Sequence, residues 1–138
     1  MTPPRPPITC HVLDTTTGRP GASIPVTLTL LSISDAENAA GASQRFAGLT
    51  NGDGRVTSWS TGSGSAPLDE LFRLQSERGE ASKWSLNFAV GDYWRERGVE
   101  AFFEEVEVRF TVRGGSAKEH FHVPVLVGPF SYTTYRGS

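Results

Sequence analysis

Two histidines and one arginine are the residues of this chain best suited to acid–base chemistry. His11 and His122 lie in predicted β-strands, and imidazole titrates near neutral pH, so the pair could serve as a general base and a proton-donating partner. Arg55 directly follows a turn at residues 51–54, and its guanidinium offers a planar fork of donors to an anionic or carbonyl-rich substrate. The alternatives are histidines at a solvated strand edge and a surface arginine beside a turn.

The last four residues, Tyr135-Arg136-Gly137-Ser138, follow directly on another predicted strand. A chain terminus is usually frayed and polar. This one carries a ring hydroxyl, a guanidinium and a free carboxylate within a very short stretch. Two interpretations follow, an ordinary tail or one wall of a site.

Other kinds of catalytic site find little support in the chain. His120 and His122 place two imidazoles on one face of a predicted strand, but no nearby cysteine or carboxylate has the spacing of a zinc ligand. A serine-hydrolase nucleophile would need a Gly-x-Ser-x-Gly turn, which does not occur. Gly52 and Gly54 fit a tight turn better than a phosphate-binding loop. We therefore predict no metal site.

Alternation along two predicted strands assigns the histidines to a face. In residues 8–13 the face opposite isoleucine, cysteine and valine carries Thr9, His11 and Leu13. In residues 121–127 the face opposite phenylalanine and valine carries His122, Pro124 and Leu126. The β-branched faces are predicted to form the core. The histidines then share an outer face with leucines, which we expect a second subunit to cover.

The remaining elements are predicted from alternation and turn residues. Strands are expected at residues 25–33, 44–50, 55–59, 84–90, 102–112 and 130–134. Helices are expected at residues 68–78 and 91–98, and loops at 34–43 and 60–67. The Asn-Gly-Asp-Gly turn should join its two flanking strands in a hairpin. This pattern predicts an all-β, antiparallel β-sandwich of about seven or eight strands with a short helix.

The composition is that of one globular domain of 138 residues with a net charge of −2. No basic stripe is available for nucleic acid, and no apolar run approaches the roughly 20 residues that span a membrane. Residues 1–7 are predicted to be a disordered, proline-rich arm, and residues 8–138 the folded domain. The single cysteine, Cys10, and the lack of a recognisable secretory signal favour a cytoplasmic location.

Several segments resemble the transthyretin-like family, and within it the 5-hydroxyisourate hydrolases. The resemblance starts at Cys10-His-Val-Leu-Asp with the Gly-Arg-Pro turn after it, and it includes the turn and arginine at residues 50–55. It continues through Asp92-Tyr-Trp and the strand at 102–110, and then through His120-Phe-His-Val-Pro and residues 131–138. The terminal Tyr-Arg-Gly-Ser is specific, because the hormone-carrying relatives lack it.

The resemblance implies a prealbumin-like sandwich that assembles as a homotetramer, a dimer of dimers, with active sites between the dimers. It implies hydrolytic ring opening of the small molecule 5-hydroxyisourate in urate breakdown, with no metal or organic cofactor. The catalytic residues that it implies are His11, Arg55 and His122. The substrate-binding residues that it implies are Tyr135, Arg136, Gly137 and Ser138.

Two features depart from the family pattern. Glu104 stands where a proline is usual, and the stretches at 34–43 and 60–80 are long. The alternative function is a non-catalytic, transthyretin-like carrier of a small aromatic ligand, and a third interpretation is a sandwich module without a site. The peroxisome is the alternative location, although the chain does not end in Ser-Lys-Leu.

Overall fold

The computed structural model describes residues 5–33, 44–61, 66–115 and 118–138. Two helices and ten strands are present in these ranges, and three of the strands contain only two residues. The strands are β1 (Ile8–Asp14), β2 (Arg19–Pro20), β3 (Pro25–Ile33), β4 (Arg45–Leu49), β5 (Arg55–Val56), β6 (Ser60–Thr61), β7 (Ser82–Phe88), β8 (Val106–Val112), β9 (Phe121–Val127) and β10 (Tyr132–Thr134). The helices are α1 (Leu68–Glu77) and α2 (Gly91–Glu96).

The strands form two five-stranded sheets, which confirms the predicted sandwich. One sheet has the order β10-β9-β1-β2, with β5 also paired to β1, and the other has the order β6-β4-β3-β7-β8. All pairs are antiparallel except β1 and β9, which run parallel from Ile8 opposite Phe121 to Asp14 opposite Val127. The expectation of a wholly antiparallel sandwich is wrong at this pair. β9 reaches β1 through a long connection that includes strands of the other sheet, and a parallel pair needs such a crossover instead of a tight hairpin turn.

The inner faces of the strands are buried as the alternation predicts. In β1 and β9 the isoleucine, cysteine, phenylalanine and valine positions are buried, and His11, Leu13, His122 and Leu126 are only partly buried. Large side chains fill the space between the sheets, and the largest fully buried ones are Trp84, Trp94, Phe46 and Phe88. Close packing of this kind holds the two strands that carry the histidines rigidly side by side.

The expected hairpin around residues 51–54 is wrong. The turn forms, but the strand after it is short, and β5 pairs with β1 in the opposite sheet instead of with β4. Gly48 allows this crossing, because a β-carbon there would lie 2.6 Å from Val56 and 2.9 Å from the Trp59 ring. Gly54 makes the turn possible with a φ of +75° and a carbonyl that accepts a 2.8 Å hydrogen bond from the Val12 amide.

Smaller differences concern the element ends. The strand expected at residues 102–112 begins only at Val106, and the one expected at 130–134 begins at Tyr132. β6 lies in the expected loop 60–67, whereas the expected loop 34–43 and residues 62–65 lie outside the described residues. Glu104, which departs from the family pattern, accepts two hydrogen bonds of 2.9 and 2.8 Å from Arg95 on α2. The unusual residue therefore joins α2 to the segment before β8.

The start of the chain contacts β9. Residues 1–4 of the predicted arm lie outside the described residues, but the Pro7 carbonyl accepts a 2.8 Å hydrogen bond from the Phe121 amide. The division of the chain at residue 8 stays a prediction. Among the described residues, no helix has the length and apolar character needed to cross a membrane.

Candidate active site

Three imidazole rings lie in a row on the outer face of the sheet that contains β1 and β9. His122 is in the middle, with its ring centroid 6.4 Å from that of His11 and 6.3 Å from that of His120. The planes differ by 26° and 17°, respectively, so the rings are roughly stacked. The parallel register brings them together, because it sets Thr9 opposite His122 and His11 opposite Pro124.

Arg55 joins this row through β5. Its backbone lies opposite His11 in the antiparallel pair of β5 and β1, as the turn before it requires. The guanidinium is exposed, and it makes no hydrogen bond or ion pair with any side chain that the structure describes. Its donors are therefore available to a ligand.

The surroundings of His11 and His122 favour the uncharged form of each imidazole. Burial lowers the pKa of His122, and the positive charge of Arg55 and the neighbouring imidazoles lower it further. Burial is also the largest cause of the lowered pKa of His11, followed by Arg55, and a hydrogen bond to the Asp53 carbonyl acts in the opposite direction. Neutral imidazoles are the form that a general base requires.

A cavity of about 770 Å³ opens beside this row. Its polar lining groups include Arg55, His122, His120, Thr9 and Ser138. Other parts of the wall come from Trp59, from residues 5–7 of the N-terminal segment and from the start of α1, including Asp69. His11 does not line this cavity and lies on the far side of His122 from His120. Arg55, His122 and Ser138 are therefore the predicted site residues that share one space.

Thr9 and His120 are part of this cavity although the sequence assigned them no role. Thr9 shares the outer face with His11 by alternation, but a strand threonine gives no further signal. His120 shares a face with His122, but it stands at the start of the predicted strand, a position that is typical of a solvated residue. Only the register between β1 and β9 brings these two residues together.

The terminal segment returns to β9 beside His122. The Gly137 amide donates a 2.8 Å hydrogen bond to the His122 carbonyl, and a β-carbon at Gly137 would lie 2.9 Å from both the His122 ring and Pro124. Only glycine allows so close an approach. Ser138 consequently reaches the large cavity.

Tyr135 and Arg136 lie elsewhere. They line a second cavity of about 330 Å³ between β8 and β9, to which His122 also contributes. The Arg136 guanidinium carbon lies 4.6 Å from the centre of the Phe121 ring, and its Nη2 is 3.2 Å from Glu119. These contacts anchor the terminal segment to β9 and direct Arg136 away from Arg55.

Among the described residues, no three histidine, cysteine, aspartate or glutamate side chains are grouped so that they could hold a metal ion. The three imidazoles are instead spread along a row. Thr9 lies between two of them and contacts a nitrogen of each. The arrangement suits proton transfer next to a guanidinium.

Comparison with known proteins identifies the family. The family model described as the HIUase/Transthyretin family matches residues 8–137. The chain belongs to this family. It is 39% identical to the 5-hydroxyisourate hydrolase of Ralstonia nicotianae, with 95% of this chain and 97% of that protein covered. It is 37% identical to the 5-hydroxyisourate hydrolase of Mus musculus, with 96% of this chain and 95% of that protein covered.

Solved structures of family members share the fold. The 5-hydroxyisourate hydrolase of Klebsiella pneumoniae matches with a TM-score of 0.62 at 27% identity, covering 95% of this chain and 92% of that one. Transthyretin from Sparus aurata matches with a TM-score of 0.70 at 23% identity, covering 96% of this chain and 97% of that one. At this low identity, the match to transthyretin shows only that the two proteins share the sandwich fold.

Proposed function

We propose that this protein is a 5-hydroxyisourate hydrolase, which opens the ring of its substrate to give 2-oxo-4-hydroxy-4-carboxy-5-ureidoimidazoline in urate breakdown, a part of purine catabolism. One observation carries the proposal. The imidazole of His122, whose pKa is lowered, and the guanidinium of Arg55, which pairs with no described side chain, line one cavity. Relatives that match over nearly their whole length have this name. The same sandwich without such groups would offer only a binding surface.

The proposed reaction is the hydrolysis of a cyclic amide. His122 accepts a proton from a water molecule, and the water oxygen bonds to the activated acyl carbon of the ring. Negative charge develops on the carbonyl oxygen, where the Arg55 guanidinium stabilises it. The carbon–nitrogen bond of the ring then breaks, and the nitrogen takes up a proton from an imidazolium. His11, whose ring centroid lies 6.4 Å from that of His122, assists these proton transfers.

The terminal residues are proposed to shape the substrate pocket. Gly137 and Ser138 lie beside His122 and close the cavity on that side. Tyr135 and Arg136 do not line this cavity and are proposed to act indirectly. The contacts of Arg136 with Phe121 and Glu119 hold the terminal segment in place. A closed pocket limits the orientations in which the flat ring can bind.

The proposed enzyme needs no metal or organic cofactor and assembles as a homotetramer, a dimer of dimers. Support for assembly comes from Leu13 and Leu126, which are register neighbours on the outer face and are only partly buried. Thr133 of β10 lies opposite Leu126 and extends this surface. We propose no nucleic-acid or membrane partner. A cytoplasmic location, with the peroxisome as the alternative, stays a prediction.

One assay tests the proposed function. 5-Hydroxyisourate is generated in solution, and its ultraviolet absorbance is followed with and without the protein, with the spontaneous decay subtracted. Acceleration that rises in proportion to protein concentration supports the enzyme. Binding without acceleration would indicate a carrier of a small aromatic ligand instead, the function suggested by the sandwich that it shares with transthyretin. If neither binding nor acceleration is observed, the result would favour a sandwich module without a site.

A further inference from the structure

We infer that Thr9 and His120 are positioning residues that fix His122 in one tautomer, with the proton on Nδ1 and the lone pair of Nε2 free to accept a proton. The inference rests on the proposed role of His122 as the general base. It assigns a role to two residues that do not take part in the reaction themselves. The contacts among the three side chains carry it.

The Thr9 hydroxyl bridges the two rings. Its Oγ1 lies 2.7 Å from Nδ1 of His122 and 2.8 Å from Nε2 of His120, both within hydrogen-bonding distance. Thr9 is only 8% exposed. His120, Thr9 and His122 therefore form a connected set of polar groups around a buried hydroxyl.

The direction of these hydrogen bonds follows from what each group can donate. A hydroxyl has a single hydrogen, so Thr9 donates to one ring and accepts from the other. The N-terminal segment lies beside His120, because the Phe121 amide donates a hydrogen bond to the Pro7 carbonyl. The neighbouring Pro6 carbonyl, which can only accept, acts to raise the pKa of His120, as an acceptor for a ring N–H does. Because Nε2 of His120 is occupied by Thr9, this N–H is assigned to Nδ1.

The directions of the remaining hydrogen bonds follow from this assignment. A neutral His120 with its proton on Nδ1 has an unprotonated Nε2, which accepts the Thr9 hydrogen. The Thr9 oxygen then accepts a hydrogen bond from the other ring. The donor is an N–H on Nδ1 of His122, which lies 2.7 Å away. His122 is left with an unprotonated Nε2. Burial lowers the pKa of both rings, which favours the neutral forms that this pattern needs.

A second histidine shows why such a device matters. The tautomer of a neutral imidazole is set by the hydrogen bond that its other nitrogen makes. At His11 the partner is the Asp53 carbonyl, which requires an N–H on that ring. At His122 the partner is a hydroxyl, which can accept or donate, so Thr9 alone would leave the tautomer open. His120 and Pro6 remove that ambiguity.

Nuclear magnetic resonance tests the tautomer without reference to activity. The chain has only three histidines, so long-range ¹H–¹⁵N spectra of the labelled protein can be assigned with single substitutions. We expect His122 in the Nδ1–H form, and we expect Thr9→Val to shift the population toward Nε2–H. Thr9→Ser, which keeps the hydroxyl, should retain the Nδ1–H form. An Nε2–H form in the unaltered protein, or no change in Thr9→Val, would overturn the inference.

Kinetics supply the second readout. Loss of the hydrogen bond that orients a metal-binding histidine typically costs about 10- to 100-fold in activity. We expect a loss of the same order for an oriented base, so Thr9→Val should lower kcat by this factor with little change in KM. Thr9→Ser should recover most of it. His120→Phe should lower kcat similarly, and the double variant should be no worse than either single one, since the residues act as a unit.

The controls separate failure of this inference from failure of the proposed function. Thr27→Val, on β3 in the other sheet, removes a threonine hydroxyl far from the cavity and should leave both readouts unchanged. If the unaltered protein accelerates the reaction and Thr9→Val is fully active, the inference is wrong and the function stands. If the unaltered protein shows no acceleration, the function fails, and the spectra still decide the tautomer.

Discussion

The Gly137 amide donates a 2.8 Å hydrogen bond to the carbonyl of His122, and no side chain fits between the two residues. A β-carbon at Gly137 would lie 2.9 Å from Cδ2 of the imidazole. The end of the chain and the proposed base are therefore packed against each other, so a change in either position is transmitted to the other.

Gly137→Ala should lower kcat/KM at least about tenfold, which corresponds to about 1.4 kcal/mol of transition-state stabilisation. The added methyl group must displace the imidazole or lift the terminal segment off β9. Steady-state kinetics measure the effect, and Gly52→Ala is the matched control, because a β-carbon there meets nothing within 4 Å. Equal rates for both variants would show that the contact with His122 does not matter for turnover.

Deletion of residues 135–138 should remove most of the turnover while preserving the sandwich. These residues contribute no side chain to the buried hydrophobic core, and β10 ends before them at Thr134. Thermal unfolding should therefore change little, whereas the rate of 5-hydroxyisourate decay should fall toward the spontaneous rate. A fully active truncated protein would show that the segment is an ordinary tail.

His11→Ala and His122→Ala should each reduce turnover at least about tenfold, within the range typical for loss of general acid–base catalysis. We expect the larger loss for His122, which lines the cavity, and the smaller loss for His11, which does not. Rates near those of the unaltered protein in both variants would refute their assignment. Circular dichroism of each variant checks that the sheet is intact.

The sequence predicts the position of the two histidines well because the information is local. Alternation along a strand depends only on neighbouring residues, so His11 and His122 could be assigned to the outer face before their partners were known. Their approach to each other needs the parallel pairing of β1 with β9, which alternation does not specify. The same pairing brings Thr9 to His122, and for this reason neither Thr9 nor His120 was predicted as a site residue.

The errors of prediction arise from contacts between distant segments. The Asn-Gly-Asp-Gly turn suggests a hairpin, yet Val56 and Trp59 pack over Gly48 and carry the chain to the other sheet. The role of Arg136 stays a prediction, but the contact of its guanidinium with the Phe121 ring could not be read from the terminal motif. Local patterns cannot anticipate such contacts, because they depend on how the two sheets stack.

The pH dependence of kcat/KM should show an acid limb with an apparent pKa below the ordinary histidine value of about 6.5. Burial and the charge of Arg55 lower the pKa of His122, so the neutral base persists as the pH falls through 6.5 and is lost only at a lower pH. Arg55→Gln removes one of these causes and should move the limb upward, toward 6.5, in addition to reducing the rate. An acid limb at or above 6.5 in the unaltered protein would contradict the lowered pKa.

The protein should have the mass of four chains in solution, and Leu126→Glu should reduce it. Leu126 lies on the outer face beside Leu13, where a charge buried between subunits without a partner would strongly oppose association. Light scattering at micromolar concentration measures the mass. Leu49→Glu is the control, because Leu49 is 59% exposed on β4 in the other sheet and should tolerate a charge. A monomer in the unaltered protein would contradict the tetramer and would leave the row of imidazoles open to solvent.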